Sequence, residues 1–224
     1  MSLILDLLFP KYCVGCKRLG SYLCPNCEKK LELIKVQNCP VCGHKSITGD
    51  THKFCRKKYS LDGSTSIFNY KFPIKEAVHQ IKYRLIRDEI KTFTDLMLQN
   101  LPNNFQKFDL IIPIPLHPKK LKERGFNQSE EIAKIISQNK NIPLLIKPLI
   151  RIKPTKPQFN LKSEERKINI KDAFSCNNPG EITNKRILLI DDVATTYSTL
   201  NEAAYILKKS GASFVWSLTL AHGK

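Results

Sequence analysis

Acidic residues are the scarce class in this chain: 20 Asp and Glu stand against 37 Lys and Arg in 224 residues. The resulting +17 charge and pI near 9.6 favour a polyanionic partner, whether nucleic acid, a phosphorylated substrate or an anionic surface. Long apolar runs are also missing. No stretch reaches the ~18–20 apolar residues needed to span a bilayer. The opening residues, MSLILDLLFP, are apolar but carry Asp6. They lack a basic leader and a small-residue cleavage site, which argues against a secretion signal. They are expected to form a short helix on the body of a cytoplasmic protein. Apolar residues as a class are not scarce: 42% hydrophobic and 25% charged content exclude a disordered chain. The length suits one sizeable core plus a small accessory module.

Cysteine is concentrated at one end. All eight except Cys176 precede residue 56, and Cys13/Cys16, Cys24/Cys27 and Cys39/Cys42 each have CxxC spacing. Such a knuckle turns two thiolates towards one ion, and two knuckles complete a tetrahedron. Cys13, Cys16, Cys24 and Cys27 would make one site. The third pair finds His52 and Cys55 at the same spacing, so Cys39, Cys42, His52 and Cys55 would make a second. His44 is an alternative ligand to His52, and spacing leaves open which knuckles pair. A reducing compartment disfavours disulfides, so zinc is the expected ligand. A closed four-ligand site has no open position and is structural or binding, not catalytic. Lys29, Lys30, Lys35, Arg56, Lys57 and Lys58 surround this head. Cys176 reads as a small buried apolar residue.

From Leu61 the punctuation becomes α/β. Ser64 to Tyr70 reads as a strand, and Pro73 opens a helix whose Ala77, Ile81 and Leu85 share one face with Val78. That helix carries Gln80-Ile81-Lys82-Tyr83-Arg84, and a second helix runs from Asp88 to about Asn100. FDLIIPIPL, Phe108 to Leu116, is a strand that its prolines should end. A basic loop follows, His117 to Gln128, and Ser129 is expected to cap the helix SEEIAKIISQ. Ile142 to Ile152 is β-rich. Lys153 to Asn169 reads as a mobile polar loop, a length that usually binds or covers something. Lys185 to Asp191 is the central strand, Leu200 to Lys209 a helix, and Ser213 to Ala221 a last strand. The alternation predicts a mostly parallel sheet covered on both faces.

The chemistry centres on KRILLIDDVATTYSTL, Lys185 to Leu200. Ile187 to Ile190 are apolar with no polar face, as in a strand buried on both sides. Asp191 and Asp192 stand at its C-terminal end, where open α/β sheets bind ligands. Val193, Ala194, Thr195, Thr196, Tyr197, Ser198 and Thr199 then form a hydroxyl-rich turn into a helix, which suits a phosphate. Two adjacent carboxylates suit vicinal hydroxyls or a divalent metal.

This stretch resembles the signature of type I phosphoribosyltransferases, although Tyr197 stands where that pattern has glycine. A tyrosine at positive φ would be strained, and its ring could enter the phosphate space. The cysteine knuckles, IPIPLHPKKLKERGFNQ, PQFNLKSEERKINIKDAF and LLIDDVATTYST occur in this order, and together they resemble the ComF family over nearly the whole chain. The resemblance implies a zinc-ribbon head in residues 1–60 and a type I phosphoribosyltransferase-like α/β domain in residues 61–224. It implies a cytoplasmic role in natural transformation, handling incoming single-stranded DNA, with a ComFA-type helicase and a DprA-type recombination mediator as partners. On the phosphoribosyltransferase pattern, Asp191 and Asp192 would hold ribose hydroxyls of 5-phosphoribosyl-1-pyrophosphate, directly or through Mg2+. The turn from Val193 to Thr199 would hold the 5-phosphate, the Pro113–Leu116 segment with Pro115 would lie at the pyrophosphate, and Lys82 and Arg124 would be cationic contacts there. The loop from Pro157 to Asn169 would exclude water. For DNA, Lys119, Lys120, Lys122 and Arg124 would meet phosphates, and Tyr83, Phe126 or Phe159 would stack on bases. An active phosphoribosyltransferase on a base or nucleotide-like acceptor, and a zinc-ribbon adaptor with a vestigial phosphate site, are the alternatives.

Overall fold

The structure is a computed structural model that describes residues 10–83, 86–102, 105, 107–155 and 163–223. The expected N-terminal helix, Arg84, Leu85 and Phe159 lie outside the described residues. The head contributes helix α1 (Pro25–Glu28) and a two-residue antiparallel ladder, β1 (Gln37–Asn38) with β2 (Lys45–Ser46). The body follows with β3 (Gly63–Asn69), α2 (Ile74–Tyr83), α3 (Arg87–Gln99), β4 (Leu110–Pro113), α4 (Pro118–Arg124) and α5 (Gln128–Lys140). It continues through β5 (Leu149–Arg151), α6 (Ser163–Ile170), β6 (Phe174–Cys176), β7 (Arg186–Ala194), α7 (Ser198–Lys209) and β8 (Phe214–His222).

Four strands form one parallel sheet in the order β3-β8-β7-β4. Ile187 to Ile190 are wholly buried at its centre. Their alternation splits the core in two. Leu188 and Ile190 join Leu218 and Leu220 against Ile81 of α2, Phe93 of α3 and Ile132 of α5. Ile187 and Leu189 join Val215 against Leu200 and Leu207 of α7, with Leu149 and Phe174 from the β5-β6 pair. Burying both faces in this way is why the strand reads as a continuous apolar run.

Both sheet edges are covered, which removes unpaired backbone groups from solvent. On the β3 side, Ile34 N–H donates to Ile67 O at 2.9 Å, Asn69 N–H to Glu32 O at 2.8 Å and Ser64 N–H to Gly49 O at 2.9 Å. The head is thus stitched along β3. On the β4 side, Ile111 N–H donates to Pro143 O at 2.8 Å and Leu145 N–H to Ile111 O at 2.9 Å. Pro113 ends β4 on this outer strand, where it sacrifices no central ladder bond.

The β-rich segment after Ile142 does supply a strand, outside the main sheet: Leu149–Arg151 pairs antiparallel with Phe174–Cys176 in a separate two-stranded ladder. Four expectations are corrected. The polar stretch read as a loop contains α6, whose weakly amphipathic SEERKINI gives little periodic signal, and its residues 156–162 lie outside the described residues. The basic segment after Leu116 contains α4, capped by His117 and closed by Gly125 at φ 82°, a conformation glycine adopts without a Cβ clash. Asn127, not Ser129, caps α5: its side chain accepts the Ser129 N–H. Cys176 is half-buried rather than buried.

Candidate functional site

Two donor clusters sit in the head, Cys13/Cys16/Cys24/Cys27 and Cys39/Cys42/His52/Cys55, each with its ligand atoms within 4.8 Å of one another. Cys16 Sγ lies 3.5 Å from Cys24 Sγ, and Cys42 Sγ lies 3.4 Å from His52 Nδ1. Tetrahedral Zn2+, with bonds of about 2.0–2.3 Å, fits such separations. His52 turns its other ring nitrogen to Lys45 O at 3.1 Å, and a carbonyl partner of this kind fixes the ring of a zinc-bound imidazole. His44, the alternative, is outside the cluster.

The knuckle geometry also prepares charge. Burial works to raise the Cys13 thiol, yet the N–H groups of Cys16, Cys24 and Gly15 prevail and bring it down to about 6. Burial likewise opposes Cys39, which the N–H groups of Cys42, His52 and Val41 bring to about 7. In each cluster another member moves the opposite way: burial and crowded thiols push Cys27 up to about 12 and Cys55 up to about 11. A divalent cation among them relieves that repulsion and takes all the sulfurs as thiolates. Both sets fit Zn2+.

The second centre lies at the C-terminal end of β7. The strand continues past the carboxylates to Ala194, pairing Asp191 with Thr219 and Ala194 with His222, so the two acids are strand residues and diverge. Asp192, 5% exposed, meets Lys82 Nζ at 3.1 Å from the end of α2. Burial works against the Lys82 charge, but Asp192 and then Asp191 outweigh it and raise its pKa. Asp191 accepts Ser129 Oγ–H at 2.8 Å and Asp192 N–H at 2.9 Å. Burial and the neighbouring Asp192 carboxylate still push it up to about 7.

Cations gather opposite. Burial lowers the Arg151 pKa, with Asp191 acting against the shift. The Arg151 Nε is buried without a hydrogen-bond partner, while another of its nitrogens donates to Thr155 Oγ1. Burial also lowers Lys120, and Arg124, Arg151 and Lys82 crowd it further. Lys82, Lys120 and Arg151 therefore act on the carboxylate pair, with Arg124 beside Lys120, a field that favours a multiply charged anion.

The RGFNQ segment assembles this corner. Arg124 donates to Gln128 Oε1. Phe126 is buried in the core at 8% exposure, which removes it as a base-stacking candidate. Asn127 donates to Ile114 O at 3.0 Å, locking the Pro113–Leu116 segment, with half-buried Pro115, to the start of α5. Tyr83 is exposed against His79, with ring centroids 4.9 Å apart. The hydroxyl turn, Thr195 to Thr199, enters α7, and Thr196 Oγ1 lies 2.8 Å from Ser198 Oγ. Tyr197 does take a positive φ, 56°, as the residue before α7. Its ring is buried, 5.0 Å from the His222 ring, and packs with Leu61, Ala194 and Leu200. Core burial holds the strained backbone, and the ring does not stand in the mouth of the turn.

Sequence reasoning missed Ser129 as a site group and Arg151 altogether. Ser129 follows Asn-Gln at a helix start and looked like a cap. Arg151 stands on β5, which is held by its pairing with β6, within electrostatic reach of Asp191.

A zinc-ribbon head on a parallel α/β domain, with paired carboxylates and a hydroxyl turn at the strand ends, is the class these features define. Residues 4–57 match the family model described as "Double zinc ribbon domain". The chain is 30% identical over 207 residues to "Competence protein ComFC" of Bacillus subtilis, covering 88% of this chain and 83% of that protein. It is 29% identical to "Competence protein F" of Haemophilus influenzae (89% and 90% covered) and 27% identical to "DNA utilization protein YhgH" of Escherichia coli (95% and 98% covered). The chain belongs to the ComF family of competence proteins. Among solved structures it is similar to the purine phosphoribosyltransferase of Pyrococcus horikoshii, with 18% identity, 65% of this chain and 73% of that one covered, and a TM-score of 0.33. It is also similar to "Structure of the allosteric regulatory enzyme of purine biosynthesis", with 16% identity, coverage of 64% and 30%, and a TM-score of 0.42. Likenesses that loose carry no argument about the ligand. No helix among the described residues is long and apolar enough to cross a membrane.

Proposed function

We propose that this is a cytoplasmic ComF-type protein that handles incoming single-stranded DNA during natural transformation and holds a phosphoribosyl pyrophosphate-like ligand in its α/β domain. The observation that carries the ligand is the carboxylate pair at the end of β7, with Lys82, Lys120 and Arg151 acting on it and Arg124 next to Lys120. Asp191 and Asp192 would take ribose hydroxyls. The turn from Val193 to Thr199 would take the 5-phosphate, using the Thr195, Thr196, Ser198 and Thr199 hydroxyls with the N-terminal end of α7. Lys120, Arg124 and Arg151 would take the diphosphate, at the loop that contains Pro115. Lys82 would hold Asp192 in place through their ion pair. Asp191 Oδ1 is engaged by Ser129 and Asp192 is paired with Lys82, so Mg2+ would come with the ligand.

For DNA, Lys119, Lys120, Lys122 and Arg124 on and beside α4 supply phosphate contacts, and Tyr83 an exposed ring. The helicase and recombination-mediator partners rest on the family resemblance alone. An active phosphoribosyltransferase is the second reading, favoured by the burial of the Tyr197 ring away from the turn's mouth.

Titration calorimetry on zinc-loaded protein tests the pocket: saturable heat with phosphoribosyl pyrophosphate is expected, abolished by Arg151→Ala. No heat at millimolar ligand would remove the pocket reading.

A further inference from the structure

Among the described residues the most exposed large apolar side chain belongs to the zinc-ribbon head. Phe54 sits on the single 3-10 turn Lys53–Cys55 of the second zinc cluster and is 104% exposed. It makes essentially no packing with the chain that carries it. Ile47 on the same ribbon is 86% exposed. A zinc site that only folded the ribbon would have no use for an outward phenylalanine.

What surrounds Phe54 is charge of one sign. Lys53, Arg56, Lys57 and Lys58 flank it in sequence, all exposed, and Lys45 lies on the facing knuckle, tied there through its carbonyl to His52. The pattern continues across the surface. Lys58 Nζ lies 5.2 Å from the Tyr59 ring centroid. Tyr59 meets Tyr205 of α7 edge-on, with centroids 5.6 Å apart, and Lys209 Nζ is 5.8 Å from the Tyr205 ring. Tyr205 is 40% exposed. The nearby acids are few and engaged: Asp50 accepts from Thr48, and Glu202 accepts the Asp172 N–H at 2.8 Å.

We propose that this strip, from Phe54 through Tyr59 to Tyr205, binds single-stranded nucleic acid. Unpaired bases would stack on the rings and phosphates would lie on Arg56, Lys57, Lys58 and Lys209. Aromatic faces interleaved with cations suit a single strand, because a duplex keeps its base faces stacked internally. A protein partner would prefer a continuous apolar centre with few charges. The inference takes its ligand class from the single-stranded DNA reading above but uses a different surface from α4.

The test is fluorescence anisotropy on the full zinc-loaded chain with labelled oligothymidylate, a duplex of equal length and heparin. Phe54→Ala combined with Tyr205→Ala should weaken oligothymidylate binding roughly tenfold or more. Heparin binding, zinc content and melting temperature should not move. Phe54→Trp should retain affinity, and the emission it adds should be quenched when oligothymidylate binds, a readout that requires no lost function. An unchanged affinity in the double variant, an equal loss for heparin, or an added emission in Phe54→Trp that oligothymidylate leaves unquenched overturns the strip. Should Lys119→Ala/Lys120→Ala/Arg124→Ala weaken binding while the aromatic pair does not, the strip falls and the α4 reading stands. If the unaltered chain fails to hold oligothymidylate even at low salt, both fall.

Discussion

The two zinc clusters share a chemistry, and each has one buried and one exposed cysteine, but the remaining two ligands are buried in the first and half-buried in the second. Cys13, Cys24 and Cys27 are buried and belong, with Val14 and Leu23, to the same apolar group as Ile67 and Phe68 of β3. In the second cluster Cys42 is exposed, Cys55 half-buried and Phe54 turned to solvent. The first site is a piece of the core that contains metal; the second is a rigid tip that presents side chains. Ligand spacing is blind to this difference. It is set by the residues between the ligands: Val14 and Gly15 in one knuckle, Lys53 and Phe54 in the other.

That contrast can be broken most sharply at the thiols. Cys27→Ser should lose one zinc per chain and lower the melting temperature by roughly 10 °C or more, since it also unpairs buried thiolates beneath the sheet. Cys42→Ser should lose one zinc as well, yet cost no more than roughly 4 °C. Metal analysis and calorimetric melting on both variants decide the matter; equal losses would mean that the two sites are equally structural.

A third measurement asks whether burial at the strand ends carries a cost, as it does among the thiols. Folding raises the Asp191 pKa from 3.8 to about 7. The folded chain therefore holds that proton more tightly than the unfolded one, and this group's stabilising contribution is lost as pH rises from about 4 through 7. Asp191→Asn mimics the protonated acid. It should raise stability by about 1–3 kcal/mol at pH 8 and by almost nothing at pH 4, read by denaturant melts across that range. The gain should come with loss of phosphoribosyl pyrophosphate heat. The smallest effect belongs to the tip: Phe54→Ser should shift stability by no more than about 0.5 kcal/mol. A larger loss would show that the ring is packed, and would close the gap between the two clusters.

The sequence carried its information unevenly. Ile187–Ile190 announced a central parallel strand because burial on both faces leaves no polar alternation. CxxC spacing announced both donor sets because ligand geometry is local. Lys82 was legible as a cation but not as the partner of Asp192, a contact between α2 and a strand more than a hundred residues later. Arg151 was illegible because its position depends on the β5-β6 ladder, and Ser129 because a cap and a carboxylate donor look alike in sequence. Phe126 was misread for a physical reason: a basic loop hides the fact that a glycine turn at 125 aims the next side chain inward.

Asn201 lies one turn into α7, just beyond the hydroxyl turn, and its side-chain amide donates to Pro40 O at 2.7 Å. Pro40 separates Cys39 from Val41 in the outward zinc knuckle. With the Tyr59–Tyr205 contact, this peg joins the second zinc cluster to the helix whose first turn would receive a phosphate. An ion held at one end and an anion held at the other would therefore sit on one shared piece of backbone.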